Sequence, residues 1–246
     1  MSLLPPLLHQ GRSLSIRRTA PQDAAFLYCH MYQNADFMQL FRLNDNYASE
    51  AQLSYRLAQR LKVSPAQSGN LEVILLHKRH GPIGVGVLAD YSALHRRAEL
   101  LIGIFDTSLR AISYGVEASL LLGDLAFNQY NFHRLYAYSY AHNIYSQKAL
   151  ESGGFQSEGR FKDHVFDQAT QAFVDLKIFG MTEDQFRQNQ RVARLAQRLV
   201  GRDITKLPAQ SVNQVPHTSA KEISLHVSSG QRLLRSAKTA IVLPVL

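Results

Sequence analysis

The 246-residue sequence predicts a mixed α/β domain built on one sheet, and two observations carry that prediction. Period-2 apolar runs bounded by turn residues alternate with amphipathic helical stretches, so hairpins are joined to single crossover helices. With 46% of its residues hydrophobic, the chain holds enough apolar material for one large core.

Taken in order, Leu14 and Ile16 with Arg17 and Arg18 form a short first strand, and Thr19 with Asp23 caps a helix through Phe26, Leu27 and Met31. Leu53, Leu57 and Leu61 recur every fourth residue and place a helix over residues 49–62. The Pro/Ser/Gly stretch 64–70 is a loop. LEVILL and PIGVGVLAD are strands joined at the turn HKRHGP, and AELLIGIF is the next strand. A long helix follows over residues 114–130, then the strand HRLYAYSY. A short helix comes next, opened by Asn143 as its cap and closed by Gly153-Gly154, and strands near FQSEGRF and AFVDLKIFG complete the set.

No apolar run approaches the roughly 20 residues that cross a bilayer, and MSLLPPLLHQ lacks the charged start of a signal peptide, so a cytoplasmic location is expected. The single cysteine, Cys29, excludes an internal disulfide framework and is expected as a packed thiol among Phe26, Leu27 and Met31. The ten histidines show no HExxH spacing, so no metal is expected. The net charge of +8 is unevenly spread. Residues 1–186 carry 17 basic and 17 acidic side chains, residues 187–246 carry 10 and 2, and the whole excess lies in the last quarter. The expected division is an N-terminal lead (1–12), a charge-balanced domain (13–186) and a basic C-terminal extension (187–246). Arg187, Arg191, Arg194 and Arg198 line one side of a helix over residues 183–200, with Phe186, Ala193, Ala196 and Val200 on another. Such a helix either docks by its apolar side or meets an acidic partner such as RNA, the ribosome, an acidic protein or an anionic membrane face. Farther on, AIVLPVL has the β-branched composition of an edge strand or a partner contact.

Three constellations carry possible chemistry. GVGVLA at 84–89 has dinucleotide-turn spacing, but its glycines alternate with Ile83, Val85 and Val87 inside a period-2 run. The period assigns them to a strand, with small residues where another backbone passes close. AISYG at 111–115 approximates a nucleophile elbow around Ser113, but the polar DTSLRA separates it from the strand end, where an elbow needs a direct turn. The third reading uses more of the same residues. A helix beginning near Tyr114 or Gly115 presents unpaired backbone N–H groups at its positive end, an anion site suited to a pyrophosphate. Arg110 either pairs with that phosphate or folds over the loop, and Gly115 lets the backbone approach.

Together with Asn143, Ser146 and Gly154-Phe155, the stretch from Leu109 to Phe166 resembles the GCN5-related N-acetyltransferase (GNAT) family, in particular its ribosomal-protein N-terminal acetyltransferase subgroup. Arg110, Ser113 and Gly115 match the R/Q-x-x-G-x-G/A phosphate loop, and Glu117-Ala118 continue it. EGRFKDHVF and FVDLKIFGMT are similar to the last two strands of that family, and the likeness spans about residues 13–186. Two positions depart from the pattern. Ser113 stands where the loop usually has Gly, and Leu150 where many members carry a proton-donating Tyr.

The resemblance implies a mostly antiparallel twisted sheet with helices on both faces and splayed central strands. It implies acetyl-CoA as cosubstrate, its pyrophosphate on Arg110, Ala111, Ile112, Ser113, Tyr114 and Gly115, its arm along residues 100–105, and Asn143 holding that arm besides capping. The implied reaction is attack of a neutral primary amine on the thioester, the amine belonging to a protein N-terminus or a small molecule. Backbone amides at Ile102, Gly103 and Ile104 are then the oxyanion donors. Glu99 is the candidate base, through a water, or else a solvated residue at a strand start. Ser146 is the candidate acid for the thiolate, with Tyr145 in reserve. Tyr136, Tyr138 and Tyr140 share a strand face that either lines the acceptor pocket or packs. The alternative class is a CoA-binding but inactive fold of this type that serves as a nucleic-acid or protein binding module.

Overall fold

A computed structural model of the chain describes residues 4–41, 46–110, 113–167 and 170–207. In chain order it has β1 (Leu7–Gln10), β2 (Leu14–Arg18), α1 (Ala24–Leu27), α2 (Ala35–Phe41), α3 (Glu50–Leu61), α4 (Pro65–Ser68), β3 (Leu71–His77), β4 (Gly81–Ser92) and β5 (Arg97–Ile104). Then follow α5 (Thr107–Arg110), α6 (Tyr114–Asp124), β6 (Arg134–Tyr140), α7 (Ile144–Ser152), β7 (Gln156–Asp167), β8 (Ala172–Thr182), α8 (Glu183–Gln188) and α9 (Gln190–Leu199). The strands form one sheet in the order β1-β2-β3-β4-β5-β6-β8-β7, and every pairing is antiparallel except β5 with β6. The mixed, mostly antiparallel sheet expected from the sequence is the observed one.

Strand alternation sends side chains to two apolar layers. Leu71, Val73, Leu75, Ala98, Leu100 and Ile104 join Leu121, Leu122 and Leu125 on the α6 side, where Phe186, Val192 and Ala196 of α8 and α9 complete the layer. Ile74, Val85, Leu101 and Phe105 face Leu27, Met31, Phe37, Phe41, Leu53 and Leu57 of α1 to α3 and the turn after α1. Ser49 caps α3 by accepting from Gln52 N, and Leu53 and Leu57 are fully buried, as the fourfold leucine spacing predicts.

The glycines of GVGVLA lie inside β4, and their neighbours explain them. A Cβ on Gly84 would stand 2.1 Å from the Gly103 carbonyl oxygen, and one on Gly86 would stand 2.6 Å from Leu122 Cδ1. These are places where backbone and core side chain pass close, as the strand reading requires.

Several local expectations change. Leu7–Gln10, read as part of a lead segment, pairs with β2. The helix expected over 114–130 is α-helical to Asp124 and widens into a π turn over Leu125–Gln129. The helix expected over 183–200 is interrupted at Asn189, whose extended backbone ends α8 and whose side chain caps α9 by accepting from Arg191 N and Val192 N. Val192 and Ala196 turn into the core, while Arg191, Arg194 and Arg198 are exposed. The stretch AIVLPVL lies outside the described residues. Cys29 is exposed rather than packed. Leu27 and Met31, four apart, take the buried side, and a residue midway between them faces the opposite side.

Asp124, at the end of α6, is fully buried and ties two distant segments to that helix. Its Oδ2 accepts from His9 Nε2 of β1 at 2.5 Å and pairs with Arg202, and its Oδ1 accepts from Asn128 Nδ2 at 2.6 Å. Burial pushes this carboxyl up. The hydrogen bonds from His9 and Asn128, with the His9 and Arg202 charges, outweigh burial and hold it below its ordinary value of 3.8. A lowered folded value means the unfolded chain takes up the proton more readily, so the contribution is full at neutral pH and is lost as pH falls below about 4. Asp124→Ala is expected to cost about 2 kcal/mol at pH 7, since it strands the largely buried His9 ring and the Asn128 amide, whereas the partly exposed Arg202 can turn to water. Chemical denaturation at pH 7 and pH 3 checks this, and a difference between variant and parent that does not shrink in acid contradicts it.

Candidate active site

β5 and β6 pair in parallel only over Arg97, Ala98 and Glu99 with Arg134, Leu135 and Tyr136. Beyond Glu99 the two strands diverge, β5 running on to Ile104 and β6 to Tyr140. Each remains bonded to its outer neighbour, β5 to β4 as far as Ile104 and β6 to β8 as far as Tyr140. The wedge opens into a cleft of about 610 Å³ lined by residues from both faces of the sheet. On one side it is bounded by Leu100, Ile102, Gly115, Ser119, Asn143, Ser146, Ala149 and Leu150, from β5, α6, α7 and the α7 cap. On the other it is bounded by Phe37, Leu40 and Phe41 of α2, with Leu101, Gly103 and Tyr138.

The sequence-predicted residues fall into three groups. Ile102, Gly103, Ile104, Arg110, Gly115, Asn143 and Ser146 border this cleft together. Ser113 and Tyr114 stand at the start of α6 but are not among its lining residues, the Tyr114 ring instead packing 4.8 Å from that of His77. Ala111 and Ile112 lie outside the described residues. Ser113 has φ −63° and ψ 18°, so the loop reaches α6 without the left-handed conformation that a Gly there would permit. Its side chain makes no capping bond to α6, and α5 separates it from the end of β5, unlike a nucleophile elbow.

Arg110 turns back onto the end of β5. Its Nε donates to the Ile104 carbonyl at 2.9 Å and its Nη2 to that of Phe105 at 3.3 Å, which satisfies the end of β5 and fixes the cleft rim. Asn143 caps α7, its Oδ1 accepting from Ser146 N at 3.1 Å, and this turns Ser146 toward the cleft. Gly154 ends that helix at φ 96°, and a Cβ there would meet Asn189 and Val192, so α9 presses on the turn that closes α7.

Glu99 is half-buried at the closed end, directly opposite Tyr136 in the ladder, and is not among the cleft-lining residues. Tyr136 is itself buried, donates from its hydroxyl to Asp90 Oδ2 at 2.5 Å and accepts from Arg97 Nη1 at 3.1 Å. Burial first, then the Asp90 hydrogen bond and the Asp90 and Glu99 charges, push its hydroxyl far above the ordinary value. Tyr136 thus stays protonated as a structural donor, while Tyr138 borders the cleft.

Sequence reasoning missed Phe37, Leu40, Phe41, Thr107 and Ser119, all of which border the cleft. The i, i+3, i+4 spacing of Leu40 and Phe41 around Phe37 was a readable signal for α2.

The sequence model of the GNAT acetyltransferase domain matches residues 13–156, more than half of the chain. The chain belongs to the GNAT acetyltransferase family. Among solved structures, it is similar to the ribosomal-protein-S5-alanine acetyltransferase from Vibrio fischeri, with 17% identity, a TM-score of 0.61, and coverage of 72% of this chain and 96% of that one. It is also similar to the spermidine N-acetyltransferase from Vibrio cholerae, solved in complex with CoA and spermine, with 19% identity, a TM-score of 0.58, and coverage of 70% and 97%. At these identities the likeness is one of fold. No curated protein sequence matches the chain significantly. Among the described residues, no helix of this GNAT protein is long and apolar enough to cross a membrane, and no cluster of His, Cys, Asp or Glu has the makings of a metal site.

The α6 side fits a CoA arm on an observation independent of family. Gly115 borders the cleft, and among the described residues a Cβ added to it would meet no atom within 4 Å beyond its chain neighbours and its own helix backbone, so it would point into space beside the start of α6. The helix start there offers N–H donors and the positive end of a dipole to an anion.

Proposed function

We propose that the chain is an acetyl-CoA-dependent N-acetyltransferase in which a primary amine attacks the thioester directly, with both substrates bound at once. The observation that supports this most is the cleft where β5 and β6 part, lined by residues of both faces of the sheet, since two substrates can then meet at one gap from opposite sides. The thioester of acetyl-CoA supplies the acyl group and the departing thiolate. In this reading the start of α6 around Gly115 binds the pyrophosphate, and Ile102, Gly103 and Ile104 of β5 align the arm and offer main-chain N–H groups to the oxyanion. Asn143 positions the arm from the α7 cap. Glu99, at the closed end, takes the amine proton through a water, and Ser146 returns a proton to the thiolate. Holding amine and carbonyl together supplies much of the acceleration.

Thiol release from acetyl-CoA by the full chain, with and without a panel of primary amines, tests this reading. Release should depend on the amine. Release of equal rate without acceptor, or an acetylated enzyme trapped in its absence, would show a different reaction. Tight CoA binding without turnover of any amine would favour a binding module.

A further inference from the structure

The two faces of the cleft differ in chemistry, and the α2 face bears on what enters as acceptor. Phe37 and Phe41 stack with ring centroids 5.0 Å apart and lie directly on the β5 backbone. A Cβ on Gly103 would stand 2.3 Å from Phe37 Cζ and 3.0 Å from Phe41 Cε2, so the rings cover the strand at the point where Gly103 enters the gap. Leu40, Leu101 and Tyr138 continue this apolar and aromatic wall. Two carboxylates on neighbouring strands have partners of their own. Asp90 accepts from Tyr136 and pairs with Arg97. Asp167 accepts from Gln39 Nε2 of α2 at 2.6 Å and from Thr170 Oγ1 at 2.8 Å, which straps α2 to the β7–β8 turn.

Resting on the acetyltransfer reading above, we propose that the acceptor is a primary monoamine carried on an apolar, ring-bearing body that packs against Phe37, Phe41 and Tyr138. A wall of this kind gains from burying an aromatic body. It also desolvates the ammonium of the entering amine and so favours the neutral form that attacks. A polyamine carries further charges into the same apolar wall, at a desolvation cost that a monoamine does not incur.

The test compares 2-phenylethylamine with spermidine as acceptors for the full chain, read as thiol release, with acetyl-CoA binding followed by calorimetry. The expected kcat/KM ratio favours phenylethylamine by at least about tenfold, the scale a hydrophobic pocket supplies. Leu40 is 44% exposed, so Leu40→Asp adds a carboxylate to the wall at a position that tolerates it, and the ratio should fall severalfold toward spermidine. Phe37→Ala should raise the KM for phenylethylamine more than that for spermidine. Spermidine turned over as well as phenylethylamine, no transfer to either by a chain that binds acetyl-CoA, or a ratio unmoved in Leu40→Asp would each overturn this inference alone. A folded chain that takes up no acetyl-CoA overturns the acetyltransfer reading, and this inference with it.

Discussion

Gly115→Phe is expected to weaken acetyl-CoA binding about 10³-fold, roughly 4 kcal/mol, with no loss of fold stability. Gly115 is in the first turn of α6 outside the left-handed region, so its backbone accepts any side chain. It borders the cleft, and among the described residues no atom beyond its chain neighbours and its own helix backbone lies within 4 Å of where a Cβ would stand, so a benzyl group starts from open space and extends into the region proposed for the pyrophosphate. The expected pattern is therefore a loss confined to binding: no calorimetric heat with acetyl-CoA and a thermal midpoint equal to or above the parent, since Phe is a better helix former than Gly. A variant that binds acetyl-CoA as tightly as the parent would move the cosubstrate to another part of the molecule. A variant that loses binding only because it unfolds would show it in the thermal midpoint.

Glu99→Gln is expected to lower kcat by about 10³, within the usual range for removal of a general base, while the KM for acetyl-CoA stays near that of the parent. Gln keeps the shape and the hydrogen-bonding reach of the side chain but cannot take a proton. Glu99 stands where the ladder between β5 and β6 ends, facing Tyr136 across the pair, so its distance from the bordering residues of the cleft calls for a water between it and the amine. The pH dependence of kcat should lose its acidic limb in the variant. A kcat within tenfold of the parent, or an unchanged pH profile, would return Glu99 to the reading of a strand residue beside a buried tyrosine.

What the sequence disclosed and what it concealed divide along the range of the interactions. The Asn143 cap, the Gly154 terminus and the helix start at Tyr114 are set by residues within a few positions of one another, and each is found where the sequence placed it. The leucine repeat of α3 is likewise a local pattern that fixes a buried face before any partner is known, and the short apolar runs of β3 and β4 mark strands buried on both faces. The pairing of Glu99 with Tyr136 depends on a parallel register across the whole α6 crossover, and no nearby residue announces it. The aromatic wall needs α2 to lie on Gly103, more than sixty positions away, a contact that becomes visible only when the missing Cβ is placed in space. The same holds for Asp124, whose partners His9 and Arg202 come from opposite ends of the described chain. Cys29 shows the opposite failure: apolar neighbours in sequence suggested a packed thiol, but its position midway between Leu27 and Met31 turns it outward.

The separation of β5 from β6 past Glu99 is the feature on which the account depends, because the cleft it opens is bordered by residues of both faces of the sheet, the α6 face proposed for the cosubstrate and the α2 face proposed for the acceptor. Titration calorimetry of the folded full chain with acetyl-CoA and with CoA tests it most directly. The account predicts binding of one molecule per chain for both, abolished in Gly115→Phe. Absence of heat with either compound on the folded parent chain would contradict it.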